Sequence, residues 1–431
     1  MIKEQQLESN MTALKHKKPE LLIPAGSLDV LKVAIDYGAD AVYIGGQKFG
    51  LRAKAGNFTL EEMVEAADYV HKAGKKLYVT VNIFAHNDDL EGVKKYFTDI
   101  REYGLHEKID AFIISDPGIF TLAKEIVPEI EIHISTQSNN TNYLTYNFWY
   151  KQGATRVVAA RELSLKEIRK IRDNIPEDME IEAFMHGAMC ISYSGRCLLS
   201  SYFTGRDANK GACTHPCRWK YSIVEEKRPG EYLPIEEDDR GTYIFNSKDL
   251  CMIKYVPEMI EAGINSFKIE GRMKTALYVA VVNRTYRQAI DDYFKSEELY
   301  RQRQSYYDEE ISACTFRQFT TGFYFGKTDE TSQIYDNNTY IKNYTYLGII
   351  EDITGEGLIQ IHQKNKFSVG DEINIMDFNG DNHYVTVDAL YDERMHPVES
   401  APHPKQLIYI KVSSGAALSK GMVIRSRHCE A

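Results

Sequence analysis

The sequence predicts a TIM-like (β/α)8 barrel with a cysteine-rich insertion between its seventh and eighth strands, followed by a small C-terminal all-β barrel. Three observations carry this reading. Over roughly the first 290 residues, short β-rich runs alternate with helical patterns. Eight such runs can be counted, and helices end before several of them on a glycine. From Tyr346 onward only β-signals remain, separated by turn sequences such as Thr354-Gly355-Glu356-Gly357 and Asn379-Gly380-Asp381-Asn382. An open doubly wound sheet satisfies the same alternation, because strand order is not visible in a sequence.

The predicted strands are Glu20–Ile23, Ala41–Ile44, Lys76–Asn82, Asp110–Ser115, Glu131–Ile134, Arg156–Ala160, Glu180–Met185 and Asn265–Ile269. Gly38, Gly74, Gly104, Gly153 and Gly263 stand where the preceding helices should end in a left-handed cap. Strands seven and eight start about 80 residues apart, where most neighbours start about 20 to 35 apart. Roughly 50 residues are therefore inserted at the C-terminal end of strand seven, the end that carries active sites in such barrels. The charged stretch Glu225 to Arg240 reads as an exposed loop or hairpin within that insertion. The division that follows is a polar tail over 1–18, a barrel over 19–295 with its insertion at about 187–250, a linker with an aromatic motif over 296–340, and a β-barrel domain over 341–431. The last is predicted from six runs: Tyr346–Ile353, Gly357–Gln363, Glu372–Met376, Tyr384–Leu390, Gln406–Val412 and Met422–Arg425. Small barrels of this kind bind RNA or proteins, or serve only as packing modules.

Composition narrows the function classes. With 52 Lys and Arg against 62 Asp and Glu, the 431-residue chain has a formal net charge of −10, which argues against a wholly basic nucleic-acid coat. A basic site on an acidic body remains compatible with it. Hydrophobic residues at 43% are too many for general disorder. Met1 to Lys18 has no apolar core of a signal peptide, and no apolar run approaches the roughly 20 residues of a membrane span. The expectation is a soluble, cytoplasmic protein that does not engage a membrane.

Four of the seven cysteines, Cys190, Cys197, Cys213 and Cys217, crowd into a window where uniform scatter would put about half a cysteine. An odd count without an export signal speaks against a disulfide framework. Clustered thiolates bind zinc or an iron–sulfur cluster; the C-x6-C-x15-C-x3-C spacing lacks the paired C-x2-C knuckles of structural zinc sites and tilts toward iron–sulfur. Cys251 follows in Asn246-Ser247-Lys248-Asp249-Leu250-Cys251 and is an alternative fourth ligand.

The same region holds Arg196, Arg206, Lys210, Arg218 and Lys220 against Asp207, interleaved with or bordered by Tyr193, Tyr202, Phe203, Trp219 and Tyr221. Cations beside aromatic faces suit a phosphate backbone and unstacked bases; the alternative is that the cations balance a thiolate-rich cluster. Polar residues also fall just past the predicted strands: Gly26, Gly45, Gly46, Asn82, Asp116, Gln137, Arg161, Glu162, His186, Glu270 and Arg272. Around one barrel mouth they would line a pocket for a polar, anionic small molecule. Arg161 and Arg272 are the natural carboxylate clamps. Glu270 orients Arg272 or acts as a base. His186 is a proton carrier, a donor behind a ligand, or a structural hydrogen-bonding group. H-E-x-x-H, G-x-S-x-G and P-loop motifs are absent.

Several stretches resemble the collagenase-like peptidase family U32. They are Glu20-Leu21-Leu22-Ile23-Pro24-Ala25-Gly26, Asp40-Ala41-Val42-Tyr43-Ile44-Gly45-Gly46, Ser135-Thr136-Gln137, Arg161-Glu162-Leu163 and His186-Gly187-Ala188-Met189-Cys190. Further along come Ser194-Gly195-Arg196-Cys197-Leu198-Leu199-Ser200, Gly205-Arg206-Asp207-Ala208-Asn209-Lys210-Gly211, Asn246-Ser247-Lys248-Asp249-Leu250 and Lys268-Ile269-Glu270-Gly271-Arg272-Met273-Lys274. The resemblance spans Pro19 to Arg427. The family name implies proteolysis. The long form with a C-terminal barrel is similar to tRNA hydroxylation proteins, and this implies oxygen-independent, prephenate-dependent conversion of the wobble uridine to 5-hydroxyuridine. It further implies a 4Fe-4S cluster on the cysteines, tRNA as partner and a shorter paralogue as a second subunit. A collagenase-like peptidase and a non-catalytic tRNA-presenting subunit are the rival functions.

Overall fold

The computed structural model describes residues 17–52, 56–190, 192, 197–219, 246–327, 333–334, 341–413, 415 and 417–427. The polar tail up to residue 16, Arg196, Lys220, the stretch from Glu225 to Arg240 and Cys429 lie outside the described residues, as does the side chain of Arg218.

The chain forms two compact units. The first comprises Met1–Gly26, Ala41–Met273 and Arg317–Thr339. Its centre is eight parallel strands, Glu20–Pro24, Ala41–Gly45, Lys76–Val81, Ala111–Ile114, Glu131–Ile134, Arg156–Val158, Glu180–Ala188 and Ser266–Ile269, each paired with the next in order. The eighth pairs with both the seventh and the first, so the sheet closes. The doubly wound alternative is thereby excluded. Four of these strands are buried along their whole length and the other four in all but a terminal residue or two, which explains their near-continuous apolar runs.

The connecting helices begin where their caps dictate. Thr59 and Ser164 form capping boxes with Glu62 and Glu167, and Asp116 accepts from Gly118 and Ile119 with Pro117 in the first turn. All five glycines expected to end helices adopt positive φ.

The barrel interior contains a layer of charge. Arg156 reaches Glu20 at 2.6 Å, Glu180 at 2.5 Å and Glu182 at 3.2 Å, and Lys268 Nζ lies 2.6 Å from the other Glu182 oxygen. Tyr78 and Ser266 hydroxyls donate to Glu20 at 2.6 and 2.8 Å. Burial opposes ionisation of Glu20, yet Arg156 and these hydrogen bonds outweigh it and hold the carboxyl down to about 2. Because that value lies below the unfolded one, the stability Glu20 contributes is complete above its unfolded pKa and is lost as the pH falls toward about 2. Urea unfolding at stepped pH should show a loss of about 3 kcal/mol across this window from Glu20. A Glu20→Gln variant should lose correspondingly less; equal slopes for the two proteins would contradict the assignment.

Strand seven continues three residues past its predicted end. Its last residues pair antiparallel with Asp249–Cys251, which in turn pairs parallel with Phe319–Thr320. Asp249 is clamped by Arg317 at 2.6 Å, both buried. The aromatic motif is fixed to the same unit by the Tyr324 hydroxyl, which donates to Phe184 C=O at 2.6 Å.

The second unit comprises Ser27–Asp40, Lys274–Phe316 and Tyr340–Ala431. It contains an antiparallel sheet built from Tyr344–Ile349, Val423–Arg427, Glu372–Met376, His383–Tyr391, Leu407–Val412, Ile359–His362 and Asp352–Ile353, in that order. Its two ends meet where Lys364 N–H donates to Leu347 C=O at 2.8 Å. Leu347, Ile359, Ile361, Ile373, Ile375, Ile408 and Ile410 fill its interior. The helices Leu28–Asp36 and Ala276–Lys295 belong to this unit for a physical reason. Tyr37 just beyond the first bonds Met376 C=O and Val423 N–H, and Arg284 on the second bonds Asp377 C=O and Glu310. No helix among the described residues is long and apolar enough to cross a membrane.

Candidate functional site

A pocket of the first unit opens at the C-terminal ends of the barrel strands and holds about 1120 Å3 of empty space, its mouth included. Tyr43, Thr80, Val158, Phe184 and Lys268 come from the strands themselves. Asn82, Gln137, Arg161, Glu270 and Arg272 come from the loops just beyond them. Four cysteines from the insertion, Cys190, Cys197, Cys213 and Cys217, complete the wall. The insertion thus returns over the mouth from which it leaves.

The charges are arranged around Glu270. Its two oxygens lie 3.4 Å from Arg52 Nη2 and 3.3 Å from Arg161 Nη2. Burial works against its ionisation, but Arg52, Arg161 and Arg272 together hold it below the ordinary carboxylate range. A carboxylate so stabilised is a weak base, and its geometry is that of a group orienting two guanidiniums. Arg161 also lies flat against Phe184, with Cζ 4.0 Å from the ring centre.

Among the described residues Arg272 is in no ion pair with a carboxylate; its Nη1 donates to Thr80 Oγ1 at 3.2 Å. Burial first, and then the neighbouring Arg52 charge, lower its pKa to about 10. Its passage depends on Gly45, where a Cβ would lie 1.7 Å from Arg272 Nη1. Lys268 sits on the floor, 4.5 Å from the Tyr43 ring centre and neutralised by Glu182. Counting Arg52, Arg161 and Arg272 against Glu270, the wall carries a surplus of two positive charges. That surplus suits an anion with two carboxylates, or thiolates close by.

The thiols bear on the same charges. Arg52 is held protonated first by Glu270 and also by Cys213 and Cys190. The backbone N–H of His215 donates to Cys213 Sγ at 3.4 Å, the kind of contact that tunes a metal-bound sulfur. Among the described residues, no three thiol, imidazole or carboxylate donors converge tightly enough to hold a single metal ion. The donor set fits an iron–sulfur cluster in chemistry and number, since each thiolate of a 4Fe-4S group binds a different iron and the four need not converge on one point. Cys251 is half-buried on its strand, paired with His186, and is not part of the pocket wall.

The other predicted residues are placed as follows. His186 is buried in strand seven with its ring edge against Phe319, centroids 5.5 Å apart, and does not line the pocket. Lys210 is paired with Asp89 at 2.8 Å, and Arg206 is exposed. Trp219 is 45% exposed and lies 6.2 Å from Phe203, which in turn contacts the 82% exposed Tyr202. Sequence reasoning missed Arg52, Lys268 and His215. Arg52 follows strand two in a loop where it adopts φ of +80°, a left-handed backbone that costs a non-glycine residue on the order of 1 kcal/mol or more and recurs at binding sites. Lys268 could have been found, since a lysine inside a strand buried on both faces requires a partner.

Fold and site together define a closed barrel whose C-terminal end gathers thiols and guanidiniums into one pocket. The chain belongs to Peptidase family U32: that family's sequence profile matches residues 26–334, and the profile of the Peptidase family U32 C-terminal domain matches 342–425. It is 39% identical over 397 residues to tRNA hydroxylation protein P1 of Bacillus subtilis, covering 92% of each chain. It is 36% identical to tRNA hydroxylation protein P of Escherichia coli, covering 95% of this chain and 97% of that protein. It is also 39% identical over 281 residues to the 23S rRNA 5-hydroxycytidine C2501 synthase of Escherichia coli, covering 65% of this chain and 40% of that one.

Proposed function

We propose that this protein hydroxylates tRNA, converting the wobble uridine to 5-hydroxyuridine in an oxygen-independent reaction that uses prephenate. The observation that carries this is the joining of four thiols and three guanidiniums in one pocket, in a chain that matches a tRNA hydroxylation protein over 92% of its length. Cys190, Cys197, Cys213 and Cys217 would hold a 4Fe-4S cluster, with Cys217 rather than Cys251 as the fourth ligand because only the former lines the pocket. When bound, the cluster supplies one-electron chemistry.

The remaining roles belong to this chain's own side chains. Arg272 and Arg161, with Arg52, receive the two carboxylates of prephenate; Glu270 keeps Arg52 and Arg161 in place until the ligand arrives. The exposed Tyr202, Phe203 and Trp219 offer stacking faces to unpaired bases, and Arg206 with Arg218 holds phosphate. The protein works in the cytoplasm, where its tRNA substrate is found.

The test is anaerobic purification with iron and sulfide assays, followed by incubation with unmodified tRNA and prephenate. Iron with sulfide, and 5-hydroxyuridine that forms only when prephenate is present, are the expected results. Cleavage of gelatin by a protein without iron would move the peptidase reading to the front.

A further inference from the structure

Next to the arginines, the pocket wall contains a hydrogen-bond chain whose direction is fixed from one end. The backbone N–H of Leu51 donates to Asn82 Oδ1 at 3.0 Å, and a backbone N–H can only donate. Asn82 must therefore turn its Nδ2 the other way, toward Gln137 Oε1 at 3.4 Å and Ser135 Oγ at 3.5 Å. The Ser135 hydroxyl also donates to Gln137 Oε1. With both donors on its oxygen, the Gln137 amide cannot flip without setting Nδ2 of Asn82 against its own nitrogen. The Gln137 Nε2 is left over. It makes no hydrogen bond among the described residues, and Gln137 is a half-buried part of the pocket wall.

We infer that Gln137 Nε2 is the donor that reads the C4 carbonyl of a pyrimidine drawn into this pocket, so that the site accepts uracil and rejects cytosine. The inference rests on the tRNA reading above and adds to it the residue that selects the base. Uracil presents an acceptor at C4, whereas cytosine presents an amino group there, which would face Gln137 donor to donor. The C2 carbonyl is common to both bases and carries no selectivity. C4 is also the neighbour of the C5 carbon that is hydroxylated, so a donor on O4 holds the reacting edge of the ring. Ser135 and Asn82 are positioning residues: they spend the amide oxygen and leave only the donor face to the ligand. The arginines then remain free for carboxylates.

The experiment uses the full chain, purified anaerobically, and two anticodon stem-loop RNAs that differ only in uridine or cytidine at the wobble position. Their dissociation constants are measured for the unaltered protein, Gln137→Glu and Gln137→Ala, together with 5-hydroxyuridine formation on the uridine RNA. The unaltered protein should prefer uridine by about tenfold or more, the discrimination typical of a good base contact. Gln137→Glu, which puts an acceptor where the donor was, should reverse the preference, and Gln137→Ala should bring it near unity. The same preference in all three proteins would overturn the inference. If the unaltered protein forms 5-hydroxyuridine while that preference does not move, the inference fails alone and the proposed function stands. A protein that binds neither RNA would overturn both.

Discussion

Cys197→Ser should abolish tRNA hydroxylation, lowering it by on the order of a hundredfold or more, and remove iron and sulfide from the purified protein. Cys197 is buried and lines the pocket with Cys190, Cys213 and Cys217. Serine is close to cysteine in size, so packing should be kept and the circular dichroism spectrum unchanged. What changes is the donor. Thiolate sulfur is a soft ligand for iron, whereas an alcohol stays protonated and is a poor one. Cys251→Ser is the matched comparison, since Cys251 lies on its own strand away from the pocket wall and should retain both iron and activity. Full iron content in Cys197→Ser, or its loss in Cys251→Ser with Cys217→Ser unaffected, would contradict the ligand assignment.

The second large effect is expected at a residue with no functional group. Gly45→Ala puts a methyl 1.7 Å from Arg272 Nη1 and 3.0 Å from its Cζ. The guanidinium must leave its seat against Thr80, the side chain among the described residues to which it donates. A charge-assisted contact to a carboxylate is worth about 1.5–3 kcal/mol, so KM for prephenate should rise roughly tenfold to a hundredfold. Overpacking should cost about 1–3 kcal/mol of stability, visible as a lower Tm. Gly46→Ala serves as a control, because the methyl there meets Tyr96 and Met63 rather than Arg272. It should lower stability without the rise in KM. Equal KM values for the two variants would show that Arg272 is not a ligand-binding group.

Much of the barrel was legible from the residues. Glu131–Ile134 is a strand with the predicted limits, and Ala41, Lys76, Arg156 and Glu180 each start a strand where expected, because apolar runs between glycine-capped helices leave few alternatives. Strand seven overran its prediction because a partner distant in sequence, Asp249–Cys251, extends its ladder. Such pairing leaves no local trace. In the second unit the six longer strands were readable, but Phe367–Ser368 and Ser400–Ala401 are two residues each, too short for alternation to register.

The site was legible where chemistry is concentrated in sequence. The cysteine spacing and the residues just past the strands led to Cys190, Cys197, Cys213, Cys217, Gln137, Arg161, Glu270 and Arg272, all on one pocket wall. What sequence could not show was neutralisation. Glu20, Arg156, Glu182 and Lys268 lie on four different strands and look like unrelated charges until the barrel closes around them. Likewise the exposure of Tyr202 and the burial of His186 depend on what packs over them.

The most direct test of the account is nucleoside analysis of tRNA from a bacterium deprived of its own wobble-uridine hydroxylation proteins and supplied with this chain. The account predicts that 5-hydroxyuridine returns with the unaltered chain and not with Cys197→Ser, both proteins being present at equal levels. Soluble, iron-loaded protein that restores no 5-hydroxyuridine, or restoration by Cys197→Ser, would contradict it.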